Sequence, residues 1–166
     1  MSLKALCRKV LDGKPLADLD IQYIIDLPDA RLGELLECAH GIRVARFGNR
    51  LSLCAIINAK SGTCSEDCSF CAQSGHHGAA SPEYPRVSTD KIVAAGAEAQ
   101  AHGVTRFGVV SSGKLVGEQD MAGYVAAVKR LAGLGMEPDL SPGILDRSQL
   151  KALKDAGLKG YHHNLE

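Results

Sequence analysis

The chain has 166 residues, enough for one domain with a real core, and its 45% hydrophobic against 23% charged content excludes disorder. Nineteen Lys plus Arg balance nineteen Asp plus Glu, so no broad basic face is available and nucleic-acid binding is excluded as the primary role. The longest apolar run, Cys54 to Ala59, is too short to span a bilayer, and residues 1–13 lack a signal-peptide core. A cytoplasmic protein is expected, in which six cysteines point to metal or redox chemistry before disulfides.

Residues 1–47 read as an N-terminal helical segment. Leu16-Ala17-Asp18 opens one helix, and Asp29-Ala30-Arg31 opens another with Leu32, Leu35, Leu36 and Ala39 at helical spacing. After the Gly48-Asn49 break, residues 48–166 alternate strand and helix. Leu51 to Lys60 is strand-like, and Ser88-Thr89-Asp90 caps a helix over Lys91 to His102 that Gly103 ends. Arg106 to Ser112 is the second strand, and Glu118 to Leu134 is a helix stopped by Gly135. Pro138 to Leu140 is a third strand, and Asp146-Arg147-Ser148 caps a helix through Ala156. Gly160 to Leu165 begins a fourth strand.

Such alternation implies parallel β/α units, wound either as an open sheet or as a barrel. The first strand favours the barrel. Ser52, Cys54, Ile56, Asn58 and Lys60 share one half-polar face, whereas Leu51, Leu53, Ala55, Ile57 and Ala59 share an apolar one. Four such units make half of an eight-fold barrel, so the chain is expected to be the N-terminal part of a longer enzyme.

Directly after the first strand comes Cys64-Ser65-Glu66-Asp67-Cys68-Ser69-Phe70-Cys71, a CxxxCxxC pattern. Three thiolates on one short loop suit three irons of a four-iron cluster, leaving the fourth iron open. Structural zinc is the other reading, with His76 or His77 as fourth ligand. Tetrahedral zinc knots usually gather two ligand pairs from separate places. The clustering of three cysteines beside a strand end therefore favours iron–sulfur.

The run Ile56-Ile57-Asn58-Ala59-Lys60-Ser61-Gly62, leading through the cysteines into Ala72-Gln73-Ser74, closely resembles the biotin synthase family of radical S-adenosylmethionine (SAM) enzymes. The terminal Tyr161-His162-His163-Asn164-Leu165-Glu166 is similar to that family's fourth-strand signature, and the likeness extends from about residue 20 to residue 166. The fold this implies is α/β, the N-terminal half of a TIM-type (β/α) barrel. Cys64, Cys68 and Cys71 would hold a 4Fe–4S cluster whose open iron chelates S-adenosylmethionine. Phe70, Ser111, Ser112, Gly113, Asn164 and Glu166 would contact that cofactor, and His162 would line the substrate pocket. The implied reaction is reductive cleavage of S-adenosylmethionine, hydrogen abstraction from dethiobiotin and sulfur insertion to give biotin. Flavodoxin or ferredoxin is the expected class of electron donor, and a homodimer is expected by analogy.

The sequence departs from the family at the auxiliary sulfur-donating cluster, whose usual cysteine positions align with Gly108 and Asp139. Cys54, on the polar face of the first strand, is a candidate ligand for a different auxiliary cluster, beside its reading as a small buried hydrophobe. Cys7 and Cys38 lie in helical segments and are expected to pack. The missing ligands keep a second enzyme reading open, radical chemistry on another small substrate without sulfur insertion. A zinc-stabilised binding module is the reading from another class.

Overall fold

A computed structural model describes residues 2–164, which form two compact units, one up to Leu51 and the other from Ser52 onward.

The first unit holds α1 (Leu3–Leu11), α2 (Asp18–Ile25), a 3₁₀ turn (Asp29–Arg31) and α3 (Leu32–Phe47). The Ser2 hydroxyl accepts from the Ala5 N–H at 3.3 Å and caps α1. Leu3 and Leu6 supply its buried face. At α2 no hydroxyl caps the start. Instead the Asp20 carboxylate turns back to accept from the Ala17 N–H at 2.9 Å and pairs with Lys9 of α1. The Lys9 hydrogen bond, then the Ala17 amide, hold the Asp20 carboxyl below the usual carboxylate range. Arg46 Nη2 donates to the Val10 and Leu11 carbonyls, capping the C-terminal end of α1 from α3.

The second unit is a parallel sheet in the order β1-β2-β3-β4, made of β1 (Cys54–Lys60), β2 (Arg106–Ser111), β3 (Glu137–Ser141) and β4 (Gly160–Tyr161). The connecting helices are α4 (Thr89–Ala101), α5 (Glu118–Gly133) and α6 (Arg147–Asp155). Local chemistry explains the helix starts. The Ser88 hydroxyl accepts from the Lys91 N–H at 3.2 Å, and Asp146 with Gln149 closes a reciprocal box at 2.8 and 3.0 Å, each cap worth about 1 kcal/mol.

Alternation sorts the strands into two faces. Ala59, Phe107, Val109 and Leu140 are buried on one face with Ile92 of α4, Tyr124, Val128 and Leu131 of α5 and Leu153 of α6. All three helices therefore cover the same side of a sheet whose neighbours follow chain order. That is barrel winding, because a doubly wound sheet reverses order and is covered on both sides. The opposite face carries Cys54, Ile56 and Asn58, then Arg106, Gly108 and Val110, then Glu137, Asp139 and Ser141. Ile56 is 68% exposed there.

Every strand differs from the sequence expectation at one end or both, β2 stopping one residue early at Ser111. β1 starts at Cys54, not Leu51, because its partner begins only at Arg106; the Leu53 carbonyl accepts from Thr105 at 3.3 Å and Leu51 is left exposed. β3 gains one residue at each end. β4 ends at Tyr161, although the expected strand ran to Leu165, a residue outside those described. Its neighbour β3 runs into Pro142, which has no N–H to continue the ladder, and the last bond is from the His162 N–H to the Leu140 carbonyl at 3.0 Å. Among the described residues no helix is long and apolar enough to cross a membrane.

Candidate functional site

The site is built at the C-terminal ends of β1, β2 and β3. In β1 the register slips between Asn58, opposite Val110, and Lys60, opposite Ser111. Such an irregularity re-aims the side chains that follow it. The chain then leaves the strand through Gly62 and Thr63 at φ +80° and +44°. A Cβ on Gly62 would lie 2.5 Å from Glu83 Cγ, so both the backbone conformation and the space require glycine.

The cysteine loop that begins there is held mostly through its backbone. Ser61 and Tyr84 exchange both backbone bonds, at 3.1 and 3.0 Å, and close its base. Cys64 donates to the Gln73 carbonyl at 3.0 Å and accepts from Gly75 at 2.8 Å. Cys71 donates to the Cys68 carbonyl at 3.0 Å, and the Ser74 hydroxyl donates to the Glu66 carbonyl at 2.7 Å. Two imidazoles complete the frame. His76 Nε2–H donates to the Ser65 carbonyl at 3.1 Å, and His77 Nε2–H donates to the Cys68 carbonyl at 3.0 Å, with Asp67 Oδ1 3.5 Å away. A carbonyl only accepts, so in each ring Nε2 carries the proton. Both histidines thus brace the loop through the nitrogen that a fourth-ligand role at Nε2 would need.

The Cys64, Cys68 and Cys71 side chains are half-buried and open onto one cavity of about 760 Å³. Phe70, 76% exposed, lies on the same wall. Val110, Ser111, Ser112 and Gly113 form a second wall, and Ser141, Gly143, Ile144, His163 and Asn164 a third. The volume lies within the roughly 300–1,000 Å³ of small-molecule sites. Among the described residues no three His, Cys, Asp or Glu side chains close around a single ion. The donor set is three soft thiols on one exposed-side loop with hydroxyl, amide and aromatic groups around the same space. It fits a thiolate-bound cluster together with a polar cofactor.

Support comes from behind the strands. The Ser112 hydroxyl donates to the Gly62 carbonyl at 3.0 Å and ties the end of β2 to the start of the cysteine loop. The Ser111 hydroxyl shares a 2.6 Å hydrogen bond with the Tyr124 hydroxyl of α5. Burial pushes the Tyr124 phenol up, so it stays protonated and fixes the Ser111 rotamer. Arg86 lies over the Tyr124 ring at 5.6 Å and binds Asp120 at 3.1 Å, and Asp120 also meets Lys60 at 3.8 Å. Lys114 reaches Glu66 of the cysteine loop at 3.4 Å. Ile144 donates to the Lys114 carbonyl at 2.8 Å and Tyr161 Oη to the Gly143 carbonyl at 2.8 Å, which joins the three strand-end loops.

The expected site residues divide as follows. Cys64, Cys68, Phe70, Cys71, Ser111, Ser112, Gly113 and Asn164 come together on one cavity. His162 lies below it on the interior face, with its Nε2 3.7 Å from Asp139 Oδ2, and its neighbour His163 joins the lining. Cys54 stands at the opposite end of β1, exposed and paired in register with Arg106. Glu166 lies outside the described residues. Asp139, at one position of the missing auxiliary ligands, is buried; its Oδ2 binds Arg106 Nε at 3.0 Å and its Oδ1 has no hydrogen-bond partner among the described residues. Sequence reasoning missed Tyr124, Arg86 and Asp120, and it considered His76 and His77 as a fourth ligand and not as braces of the loop. For the first three the partners come from distant elements, and no local spacing encodes them.

Comparison with known proteins gives a consistent picture. The family model described as the radical SAM superfamily matches residues 59–166. Proteins named biotin synthase are similar over nearly the whole chain: that of Geotalea uraniireducens is 38% identical over 99% of this chain and 51% of its own length. The Trichlorobacter lovleyi protein is 39% identical over 99% of this chain and 50% of its own, and the Anaeromyxobacter sp. (strain K) protein 44% identical over 81% and 38%. The chain spans about half the length of the curated relatives it matches. Among solved structures, the FeFe-hydrogenase maturase HydG superposes with a TM-score of 0.75 at 16% identity, covering 96% of this chain and 36% of that one. At that identity the likeness concerns the fold.

Proposed function

The chain belongs to the radical SAM superfamily, and from that premise we propose that it carries the cofactor-binding half of a biotin synthase-like radical SAM sulfurtransferase. The observation that carries this reading is the convergence of the three loop cysteines, Phe70, the Ser111–Gly113 turn and Asn164 on one cavity at the strand ends. When bound, the 4Fe–4S cluster and S-adenosylmethionine together supply reductive sulfonium cleavage and hydrogen abstraction from an unactivated carbon.

This chain's residues supply the frame. Cys64, Cys68 and Cys71 hold the cluster, and the backbone bonds of Gln73 and Gly75 with the His76 and His77 rings keep the thiols in place without occupying them. Phe70 offers an aromatic surface to the adenine, Ser111 to Gly113 border the methionine end, and Asn164 with Glu166 reaches the ribose. A carboxylate at Glu166 can accept from two neighbouring hydroxyls. Tyr124 keeps Ser111 in one orientation, so that hydroxyl need not be ordered when the cofactor enters. His162 faces the substrate side, and dethiobiotin is the substrate. Cys54 is the candidate ligand for an auxiliary cluster on the interior face, where Gly108 and Asp139 stand at the family's usual cysteine positions. The reading also takes an electron donor of the flavodoxin or ferredoxin class, a homodimer and a cytoplasmic setting.

The test is turnover by anaerobically purified protein given S-adenosylmethionine, a low-potential reductant and dethiobiotin. Deoxyadenosine and biotin, both lost in Cys64→Ala, are expected. Deoxyadenosine without biotin would move the assignment to the second reading, a radical SAM enzyme for another small substrate, which the absent cysteines at positions 108 and 139 favour. Colourless protein containing zinc would replace both with a zinc-stabilised binding module.

A further inference from the structure

The first unit places two cysteines of distant sequence side by side. Cys7 on α1 and Cys38 on α3 are 31 positions apart, yet the Cys7 thiol lies 3.7 Å from the Cys38 carbonyl. Both cysteines are half-buried on a cavity of about 410 Å³ that Arg31, Glu34 and Glu37 border, so a small reagent in solvent has access to them. Neither residue lies in the cofactor site, and neither is needed for the reading given above.

We propose that Cys7 and Cys38 are a redox-sensitive pair that a low-molecular-weight disulfide oxidises to a cross-link stapling α1 to α3. The exchange balances in two steps. The Cys7 thiolate attacks one sulfur of the small disulfide, RSSR, whose S–S bond breaks and releases RS⁻, leaving Cys7 joined to R through a mixed disulfide. The Cys38 thiolate then attacks the Cys7 sulfur, the mixed disulfide breaks, and the second RS⁻ departs. The protein thiols give up two electrons to the reagent and their two protons to the released thiolates. Burial, with Cys7 and the nearby Glu34 and Glu37, pushes the Cys38 thiol up, which makes it a slow attacker of the small disulfide. The geometry favours the second step, since the Cys7 sulfur already lies against the Cys38 backbone and both line one cavity. Arg46 on the Val10 and Leu11 carbonyls and the α1 apolar face hold the two helices together meanwhile. The cross-link would enclose α2 and the 3₁₀ turn.

The reduced chain, treated with oxidised glutathione, quenched with an alkylating agent and digested with trypsin without reduction, reads the pair directly. Cleavage after Lys4, Arg8, Arg31 and Arg43 isolates Ala5–Arg8 and Leu32–Arg43, each with one cysteine. The expected product is one species joining these peptides, lighter by two hydrogens than their sum. In Cys38→Ser it is replaced by Ala5–Arg8 carrying glutathione. Recovery of both wild-type peptides alkylated, or each separately glutathionylated, or Cys7 joined to a loop cysteine, overturns the proposal. The wild-type digest decides it even if the variant does not fold.

Discussion

Gly62 sits two residues before the first cysteine at φ +80°, with Glu83 packed where a side chain would begin. Gly62→Ala meets both obstacles, and the left-handed backbone alone costs on the order of 1–3 kcal/mol for a residue with a Cβ. The expected outcome is a melting temperature lowered by several degrees together with reduced iron retention, because the displaced segment carries Cys64. Adding Glu83→Ala should recover the packing part and not the backbone part. A Gly62→Ala protein with wild-type melting and iron content would show that the loop does not depend on this turn. At this scale the three thiols were readable from sequence, because CxxxCxxC is local and rare. The residues that position them were not. His76 and His77 work through backbone carbonyls, and Tyr124 reaches Ser111 across 13 positions of chain, so neither leaves a spacing pattern.

Between elements, the join of β3 to β4 rests on one close approach. A Cβ on Gly160 would fall 2.3 Å from Asp139 Oδ1, the buried oxygen that has no hydrogen-bond partner among the described residues. Gly160→Ala should therefore destabilise the second unit by about 1–3 kcal/mol, through overpacking against a carboxylate that Arg106 holds at 3.0 Å. Asp139→Ala removes the obstacle, so the double variant is expected to lose less than the sum of the two single changes. Strict additivity in a denaturant cycle would contradict the contact. The helices α4 and α6 were readable to within a residue or two from Ser88 and Asp146, since a cap is a local hydrogen bond. The half-polar β1 was readable from its period of two. The length of β4 was not, because it depends on Pro142, the residue that follows the neighbouring strand.

For the whole molecule, sequential strand order and helices on one side specify barrel winding. The sheet among the described residues has β1 and β4 as its two edges, and the chain spans about half of its relatives' length. The interior face collects Cys54, Arg106 and Glu137 at the N-terminal side of the strands and Asp139 at mid-strand, while the thiol loop and its cavity occupy the C-terminal ends, where barrel enzymes keep their chemistry. The neutral charge balance agrees with small-molecule partners. The central claim is that Cys64, Cys68 and Cys71 act together as the ligands of one cluster. Its most direct test is iron and sulfide per chain after anaerobic reconstitution, read beside the low-temperature electron paramagnetic resonance spectrum, in wild type and in each Cys→Ala variant. The account predicts a four-iron signal in wild type that changes on adding S-adenosylmethionine, its loss in each of the three loop variants, and full iron in Cys7→Ala and Cys38→Ala. Iron in excess of that cluster, removed by Cys54→Ala, is the expected mark of an auxiliary cluster, and an unchanged count in that variant ends that role. Retention of the four-iron signal in any loop variant would contradict the account.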